Sequence, residues 1–353
     1  MMKKTFNLFF FLLLFCFSKA QIPQGYYDSA YGLNGLALKV ALHNIIKNHT
    51  VISYSNLDNE FPSTDNMGGN IVWDIYSDVP SGTPPYTFSY AVSSDQCGNY
   101  SAEGDCYNKE HSWPQSWFNS TSIPTYSDLF HIYPTDGYVN NRRSNYPYGE
   151  VSNPTWSSQN GSKLGPCTFP GYTSTVFEPI DEFKGDIARS YFYITVRYYS
   201  ESSSWPGSSM TTGSELKDWA YNLMYQWHIN DPVSQKETDR NNAIYAIQHN
   251  RNPFIDHPEW VDSILHPLGI LNITKIQNNI SVYPNPTDKE IVISNNNLMT
   301  DIVLFNALGQ EVKTLHNVGI KQTKLDLSDL EQGYYLLQVK SEKSIYLQKI
   351  IKY

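Results

Sequence analysis

The fold and its polar chemistry are decided by two stretches of the chain: CYNKEHSWPQSWF at Cys106–Phe118 and DLFHIYPTDGYVNNRRSNYPYGEV at Asp128–Val151. The first contains a carboxylate next to an imidazole, Glu110 and His111, and the second contains the carboxamide of Asn140. Carboxylate and amide oxygens suit Mg²⁺ or Ca²⁺. A neutral imidazole can take a proton from water near neutral pH. The two stretches therefore predict a site that activates water beside a divalent cation.

A basic pair, Arg142 and Arg143, follows Asn140 directly. Guanidinium groups bind phosphate through planar, paired hydrogen bonds. With the carboxylate, imidazole and amide, the pair predicts phosphodiester hydrolysis. The alternative for the pair is a solvated helix face with no ligand.

Four blocks of sequence, in this order, resemble the bacterial endonuclease I family of extracellular and periplasmic nucleases. They are KEHSWPQSWF, DLFHIYPTDGYVNNRRSNYP, VFEPIDEFKGDIAR and HNRNPFIDHPE. The resemblance covers roughly residues 26–263. It implies an α+β fold with a ββα-metal (His-Me finger) site. It also implies a secreted endonuclease that hydrolyses DNA, and often RNA, to 5′-phosphate products with little sequence preference.

The resemblance assigns a role to each polar residue of the two stretches. His111 is expected to be the general base, and Glu110 and Asn140 to be the protein ligands of one metal ion. Mg²⁺ is the expected ion, with Ca²⁺ or Mn²⁺ as alternatives. Arg143 matches a basic position of the family and is expected to act in catalysis, and both Arg142 and Arg143 are expected to bind the substrate phosphate.

Two positions depart from the family pattern. Phe130-His131 stands where the family often has two consecutive His residues, and Lys109 stands where it usually has Arg. We expect His131 to contact residues of the site without contacting the substrate or the metal ion. The signature residues Asn250–Asn252 and Asp256 are expected to form a structural network beneath it.

The N-terminus, MMKKTFNLFFFLLLFCFSKA, has the pattern of a signal peptide over residues 1–20. Two lysines precede a short apolar run, and Ser18-Lys19-Ala20 is a typical cleavage site. No later stretch is long and apolar enough to form a membrane helix. The sequence therefore predicts a protein without an integral membrane segment, exported through the periplasm to the cell surface or the medium. We expect the protein to be a monomer.

Export favours disulfide bonds. Cys97 and Cys106 lie nine positions apart in a Gly-containing segment, so we expect them to be bonded, with two free thiols as the alternative. Cys16 belongs to the signal peptide, and Cys167 has no evident partner.

The character of the chain changes at residue 275. Short β-rich runs such as EIVISN, DIVLFNALGQEV and YYLLQVK are separated by turn residues, which predicts a small all-β sandwich. YPNP, LFNALGQEV and the terminal KIIKY resemble the C-terminal sorting domain of the type IX secretion system. This resemblance implies the secretion machinery as a partner; the alternative is a carbohydrate-binding or structural sandwich. The predicted domains are therefore 21–274 and 275–353.

Charge gives the main argument against a nuclease. Residues 21–274 contain 13 Lys and Arg against 26 Asp and Glu, whereas residues 275–353 have a net charge of +1. Nucleic-acid-binding domains are usually basic. A secreted adhesion or binding protein without catalysis is the alternative function. A zinc metalloprotease is disfavoured because the chain has no H-E-x-x-H motif.

Periodicity predicts the other elements of the first domain. Apolar residues at helical spacing indicate helices at 32–46, 215–228 and 231–247. Alternation and β-branched residues indicate strands at 71–79 and 86–90.

Overall fold

A computed structural model describes residues 22–121, 123–265, 280–306, 311–341 and 344–353. The chain divides into two compact units, Met1–Ile264 and Leu265–Tyr353. The signal peptide predicted at residues 1–20 lies outside the described residues, as does the boundary predicted between residues 274 and 275. No helix in the described ranges is both long and apolar enough to cross a membrane.

The first unit mixes helices with short strands. In chain order they are α1 Gly35–Ile46, α2 Leu57–Thr64, β1 Tyr107–His111, α3 Gln115–Phe118, β2 Ile132–Asp136, α4 Gly137–Arg143, β3 Trp156–Ser157, β4 Lys163–Pro166, β5 Thr175–Glu178, α5 Lys184–Arg197, β6 Thr211–Thr212, β7 Glu215–Leu216, α6 Asp218–Asn230, α7 Gln235–Gln248, α8 Pro253–Asp256 and α9 Trp260–Leu265. This confirms the predicted α+β class.

Within the first unit, β1, β2 and α4 form a ββα motif. The two strands pair antiparallel, with Tyr107 opposite Asp136 and His111 opposite Ile132. Asp136 ends β2 and caps α4, because its side chain accepts a hydrogen bond from the Val139 amide at 2.8 Å. A single residue thus joins strand to helix, which fixes α4 against the strands in the predicted ββα arrangement.

Helix α5 is the main support of this arrangement. Nearly all of its side chains are buried, as expected for a helix covered by protein on all sides. It packs against α1 and α6. Its buried Arg189 pairs with Glu237 of α7 at 2.5 Å, which ties the later helices to the same core.

The strands predicted at 71–79 and 86–90 are wrong, since the structure has turns and isolated bridges there. The carboxylate of Asp74 accepts hydrogen bonds from the Tyr76 amide at 2.8 Å and the Ser77 hydroxyl at 2.7 Å. Such local bonds compete with strand pairing. The alternating apolar residues at 71–79 therefore belong to a buried turn and not to a strand.

The predicted helices are present with shifted starts. Helix α1 begins at Gly35 and α6 at Asp218, after the short strand β7. Helix α7 begins after Ser234, whose hydroxyl accepts from the Glu237 amide while the Glu237 carboxylate accepts from the Ser234 amide. This reciprocal capping box sets the start at Gln235, four residues beyond the predicted one.

From residue 280 onwards, the regular elements among the described residues are all strands. They are β8 Ile280–Tyr283, β9 Glu290–Phe305, β10 Glu311–Asp326, β11 Gly333–Ser341 and β12 Ser344–Lys352. They form one antiparallel sheet in the order β10-β9-β11-β12, with β8 also paired to β9. This half-barrel encloses its own apolar core, built around residues such as Ile293, Leu304 and Ile350. The all-β prediction for the C-terminal region is confirmed.

Candidate active site

Strand β1 and helix α4 line one open cavity of about 300 Å³. Its walls include Glu110 and His111 from β1 and Asn140 from α4. The structure therefore brings together the three residues that the sequence predicts as metal ligands and general base. The antiparallel pairing of β1 with β2, followed directly by α4, is what places them side by side.

Glu110 offers one oxygen to this cavity. Its Oε1 accepts hydrogen bonds from the Tyr76 hydroxyl at 2.7 Å and from Arg143 Nη1 at 2.9 Å. Its Oε2 accepts none from the described residues. The side chain is 3% exposed, and this burial raises the pKa of Glu110 to about 6, against the opposing effects of Arg143 and Tyr76.

Asn140 offers a second oxygen. Its amide nitrogen donates to Asn108 Oδ1 at 2.7 Å and to the Lys109 carbonyl at 3.2 Å. These bonds fix the orientation of the carboxamide, and its Oδ1 accepts no hydrogen bond from the described residues. A carboxylate oxygen and an amide oxygen therefore line the same cavity.

This donor set fits a hard divalent cation with few protein ligands. In the described ranges, no three His, Cys, Asp or Glu side chains converge as a metal-binding group would require. Glu110 and Asn140 would be two protein ligands of such an ion. A cation such as Mg²⁺ commonly binds through one or two protein oxygens and keeps its other positions for water and phosphate.

The hydrogen bonds of His111 define which nitrogen can act as a base. Its Nε2 lies 3.0 Å from the carbonyl oxygen of Tyr126. Since a carbonyl can only accept, Nε2 carries the proton and Nδ1 holds the lone pair. Burial, together with the nearby His131, lowers the pKa of His111 to about 3, so the ring is neutral at neutral pH.

Two tyrosine rings hold the imidazole of His111 in place. Tyr54 and Tyr126 stack on it with ring centroids 5.6 and 5.5 Å away, and they stack on each other at 4.5 Å. Neither tyrosine is predicted from the sequence. They lie 57 and 15 positions from His111 (54 against 111, and 126 against 111), and the chain has 27 tyrosines among which no pattern marks them.

Arg143 lies in the protein interior. Its Nη1 donates to Glu110 Oε1 and to the His111 carbonyl, both at 2.9 Å, and its Nη2 donates to the Ser112 carbonyl at 2.6 Å. The guanidinium also lies 4.5 Å from the centre of the Tyr148 ring. In this position Arg143 clamps the end of β1, and the phosphate contact predicted for it would require it to leave these partners.

Arg142 lies on an exposed face of α4. It donates to the Tyr138 hydroxyl from Nε at 3.2 Å and from Nη2 at 2.8 Å. Its guanidinium lies 5.7 Å from the centre of the Trp156 ring. Successive helical residues point about 100° apart, which explains why neighbouring arginines have such different surroundings.

Two further polar side chains lie next to residues of the site. His131 is fully buried, donates from Nε2 to the Thr125 carbonyl at 2.7 Å and lies 5.6 Å from the His111 ring, as a supporting position requires. Lys109 pairs with Asp58.

The signature near the end of the first unit forms a structural network. Arg251 pairs with Asp256 at 2.6 Å, Asn252 caps α8, and Asn250 donates to the Tyr193 hydroxyl at 2.7 Å. This agrees with the structural role expected for these residues.

The predicted disulfide between Cys97 and Cys106 is confirmed, with a Cα–Cα distance of 5.7 Å. It closes the loop immediately before β1 and so fixes the entry to the strand that carries Glu110. Cys167 is free and buried.

Two family models match the chain in separate segments. Endonuclease I matches residues 34–259, which is more than half of the chain, and the secretion system C-terminal sorting domain matches residues 281–353. Both resemblances stated for the sequence are thereby confirmed.

Individual proteins give a consistent result. The extracellular ribonuclease of Bacillus amyloliquefaciens is 36% identical over 245 residues, which is 68% of this chain and 77% of that protein. The extracellular ribonuclease of Bacillus subtilis (strain 168) is 34% identical over a segment of the same length, with the same coverage. Endonuclease-1 of Buchnera aphidicola subsp. Baizongia pistaciae is 30% identical over 139 residues, 39% of this chain and 49% of that protein.

These matches favour the nuclease prediction over the adhesion alternative, and they identify an enzyme that acts on nucleic acid. The sorting domain implies the secretion machinery as a partner and export as the fate of the protein. Nucleases of this kind generally depend on a divalent metal. The chain belongs to the endonuclease I family and is a secreted nuclease that carries a C-terminal sorting domain.

Proposed function

We propose that this protein is a metal-dependent endonuclease that hydrolyses RNA and DNA to products with 5′-phosphate ends, using His111 as the general base. One observation carries the proposal: the cavity between β1 and α4 is lined by His111, Glu110 and Asn140, and one acceptor atom of each has no protein hydrogen bond among the described residues.

His111 activates the attacking water. Its Nδ1 accepts a proton from water while Nε2–H stays bonded to the Tyr126 carbonyl, so the ring keeps its orientation during transfer. The water oxygen forms a bond to phosphorus, and the bond from phosphorus to the 3′-oxygen breaks. The leaving 3′-oxygen takes a proton from a solvent water and becomes a hydroxyl, the hydroxide so formed takes the proton held by His111, and the phosphate stays on the 5′ side.

Glu110 Oε2 and Asn140 Oδ1 would hold the metal ion, for which Mg²⁺ is the first candidate and Ca²⁺ or Mn²⁺ the alternatives. When bound, such an ion supplies Lewis-acid stabilisation of charge on the phosphate and the leaving oxygen. Arg143 is assigned a positioning role, since its hydrogen bonds fix the Glu110 carboxylate and the β1 backbone. Arg142 is assigned the contact with substrate phosphate, because it is the exposed member of the pair.

RNA is included as a substrate because the two relatives that share 245 aligned residues are both extracellular ribonucleases. Water attack on phosphorus needs no 2′-hydroxyl, so the same site can cut DNA. The test is incubation of supercoiled plasmid and of RNA with the purified protein, with and without EDTA. Ligation and end-labelling of the products then identify the phosphorylated end.

Variants of the two proposed metal ligands complete the test. Glu110→Gln and Asn140→Ala should each raise the Mg²⁺ concentration that gives half-maximal cleavage. Asn145→Ala is the matched control, since Asn145 is a second asparagine that lines the same cavity but is not assigned to the metal; its amide nitrogen donates to the Ser116 hydroxyl at 3.3 Å. Cleavage that survives EDTA, products with 3′-phosphate ends, or an identical Mg²⁺ titration in all variants would each overturn the proposal.

A further inference from the structure

A second cavity, of about 350 Å³, adjoins the catalytic histidine. Its lining is mainly apolar and aromatic and includes Val51, Ile52, Tyr54, Ile123 and Tyr126. Pockets of about 300–1,000 Å³ are the size that binds small ligands or their parts. None of the residues that line this cavity takes part directly in the proposed hydrolysis.

Aromatic rings that line the second cavity contact the histidine that lines the first. Tyr54 and Tyr126 line the second cavity and also stack on the His111 ring, with interplanar angles of 9° and 23°. A group that enters the second cavity is therefore separated from the imidazole by one ring. The rings are only partly buried, so they present surface to an incoming ligand.

The chemistry of this lining suits a nucleobase. Aromatic side chains bind unstacked bases through their flat faces, and each stacked base contributes to binding whatever its identity. Few polar groups are available to read the edge of a base, apart from hydroxyls such as that of Ser53. The cavity would therefore accept purines and pyrimidines alike.

We propose that the Tyr54–Tyr126 cavity binds one unstacked nucleobase next to the scissile phosphate, which makes single-stranded nucleic acid the preferred substrate. A base in a duplex is paired and stacked, and its extrusion into the cavity would cost free energy. This proposal rests on the proposed function, because it requires the cavity to lie beside the catalytic site. In the proposed function, that site contains His111 as the general base that activates water.

The first test varies the substrate and leaves the enzyme unchanged. The substrate is a single-stranded oligonucleotide whose linkages are phosphorothioates, except for one central phosphodiester that can be cleaved. In two further substrates, an abasic residue replaces the nucleotide on the 5′ side or on the 3′ side of that phosphodiester. We expect the full-length wild-type protein to lose roughly 5- to 100-fold in kcat/KM when the base on one side is absent. Equal cleavage of the intact and both abasic strands would overturn the proposal.

The second test varies the cavity. Tyr54→Ala should lower kcat/KM on the intact strand and show little further loss on the abasic strand, whereas Tyr54→Phe should retain the abasic penalty. Val51→Ser should reduce the penalty partially. Val92→Ser is the matched control, because Val92 is a similarly exposed valine outside the cavity. If Tyr54→Ala lowers cleavage of intact and abasic strands equally, Tyr54 acts only by positioning His111 and the proposal fails.

Binding measured without catalysis separates the two proposals. In EDTA, fluorescence anisotropy should show tighter binding of the intact strand than of the abasic strand, and Tyr54→Ala should remove this difference. If the wild-type protein cleaves neither strand with Mg²⁺ but the binding difference persists, the proposed function fails and the base cavity stands. If cleavage depends on Mg²⁺ and His111 but the intact and abasic strands bind equally well, the proposed function stands and the nucleobase cavity fails.

Discussion

Arg143 Nη1 lies 2.9 Å from Glu110 Oε1 and 2.9 Å from the backbone carbonyl oxygen of His111. One guanidinium nitrogen thus fixes both the proposed metal-binding carboxylate and the backbone of the proposed base. The same contact stabilises the fold and sets the geometry of the site, so the two properties should respond together to substitution.

Arg143→Lys is expected to lower both stability and kcat. A lysine keeps the charge but cannot reproduce the bonds to Glu110, His111 and Ser112 at once, and each buried acceptor left without its donor costs about 1–3 kcal/mol. Urea unfolding measures the first effect, and cleavage well below the melting temperature measures the second, with KM nearly unchanged. Arg251→Lys is the matched control, since it breaks a buried pair with Asp256 away from the cavity. A large rise in KM with normal stability would instead assign Arg143 to the phosphate.

Arg142→Ala should act on substrate binding alone. Arg142 is exposed, so its removal should change the free energy of unfolding by no more than about 0.5 kcal/mol. If it contacts one phosphate, KM should rise and the slope of log KM against log salt concentration should fall by about 1. Arg142→Lys, which keeps the charge, should preserve the slope. An unaltered slope in Arg142→Ala would exclude the phosphate contact.

Tyr76→Phe tests how the protein keeps Glu110 ionised. The Tyr76 hydroxyl opposes the effect of burial and holds the pKa of Glu110 lower than it would otherwise be. Without it more of the carboxyl is protonated, so the Mg²⁺ concentration for half-maximal activity should rise several-fold at pH 6 and less at pH 8. Tyr148→Phe is the control, since the Tyr148 hydroxyl bonds Tyr76 and not Glu110. Identical titrations in both variants would rule the role out.

The site could be read from sequence where its residues are contiguous. Glu110 and His111 are adjacent on one strand, and Asn140 lies one turn into the helix that follows its partner strand. Tyr54, Tyr76 and Tyr126 come from other loops, and only the tertiary fold brings them to the site. No local pattern distinguishes them from other tyrosines.

The different roles of the two arginines could not be predicted from the sequence, for a second reason. Val139 and Arg143 are four residues apart in α4 and both are buried, which is the spacing of one helix face. That spacing assigns Arg143 to the interior, but a charged residue at the end of a helix is ordinarily solvated. The carboxylate of Glu110 and two backbone carbonyls in the interior, which accept its hydrogen bonds, make its burial possible.

His228 should make stability fall with acid. Burial lowers the pKa of His228 to about 4, while the unfolded chain titrates near 6.5. The unfolded state therefore binds more protons, so its contribution to stability is complete above pH 6.5 and is lost as the pH falls towards 4. Between pH 7.5 and pH 5 this loss amounts to about 2 kcal/mol.

Urea unfolding of wild type and His228→Gln at the two pH values measures this contribution. A glutamine can donate to the Pro258 carbonyl as the imidazole Nε2 does and carries no titrating group. The variant should lose about 2 kcal/mol less than wild type between pH 7.5 and pH 5. Equal losses in the two proteins would show that His228 is not the group responsible.

We propose finally that residues 21–274 fold and cleave without the sorting domain. The proposed catalytic residues lie between Glu110 and Arg143, the Endonuclease I match ends at residue 259, and the core of the second unit is made by its own strands. A domain of about 250 residues buries enough surface to be stable alone.

A protein truncated after Thr274 should therefore cleave in vitro within about twofold of the full chain, while its native host should fail to export it. Truncation after Glu259 is the contrasting variant. It removes Trp260, which stacks on His257 at 4.1 Å and packs edge-on against Tyr27 at 5.1 Å, so the ends of the first unit should loosen and its melting temperature should fall. A protein that ends at Thr274 and is folded but inactive would show that catalysis needs the second unit, and the predicted boundary would be wrong.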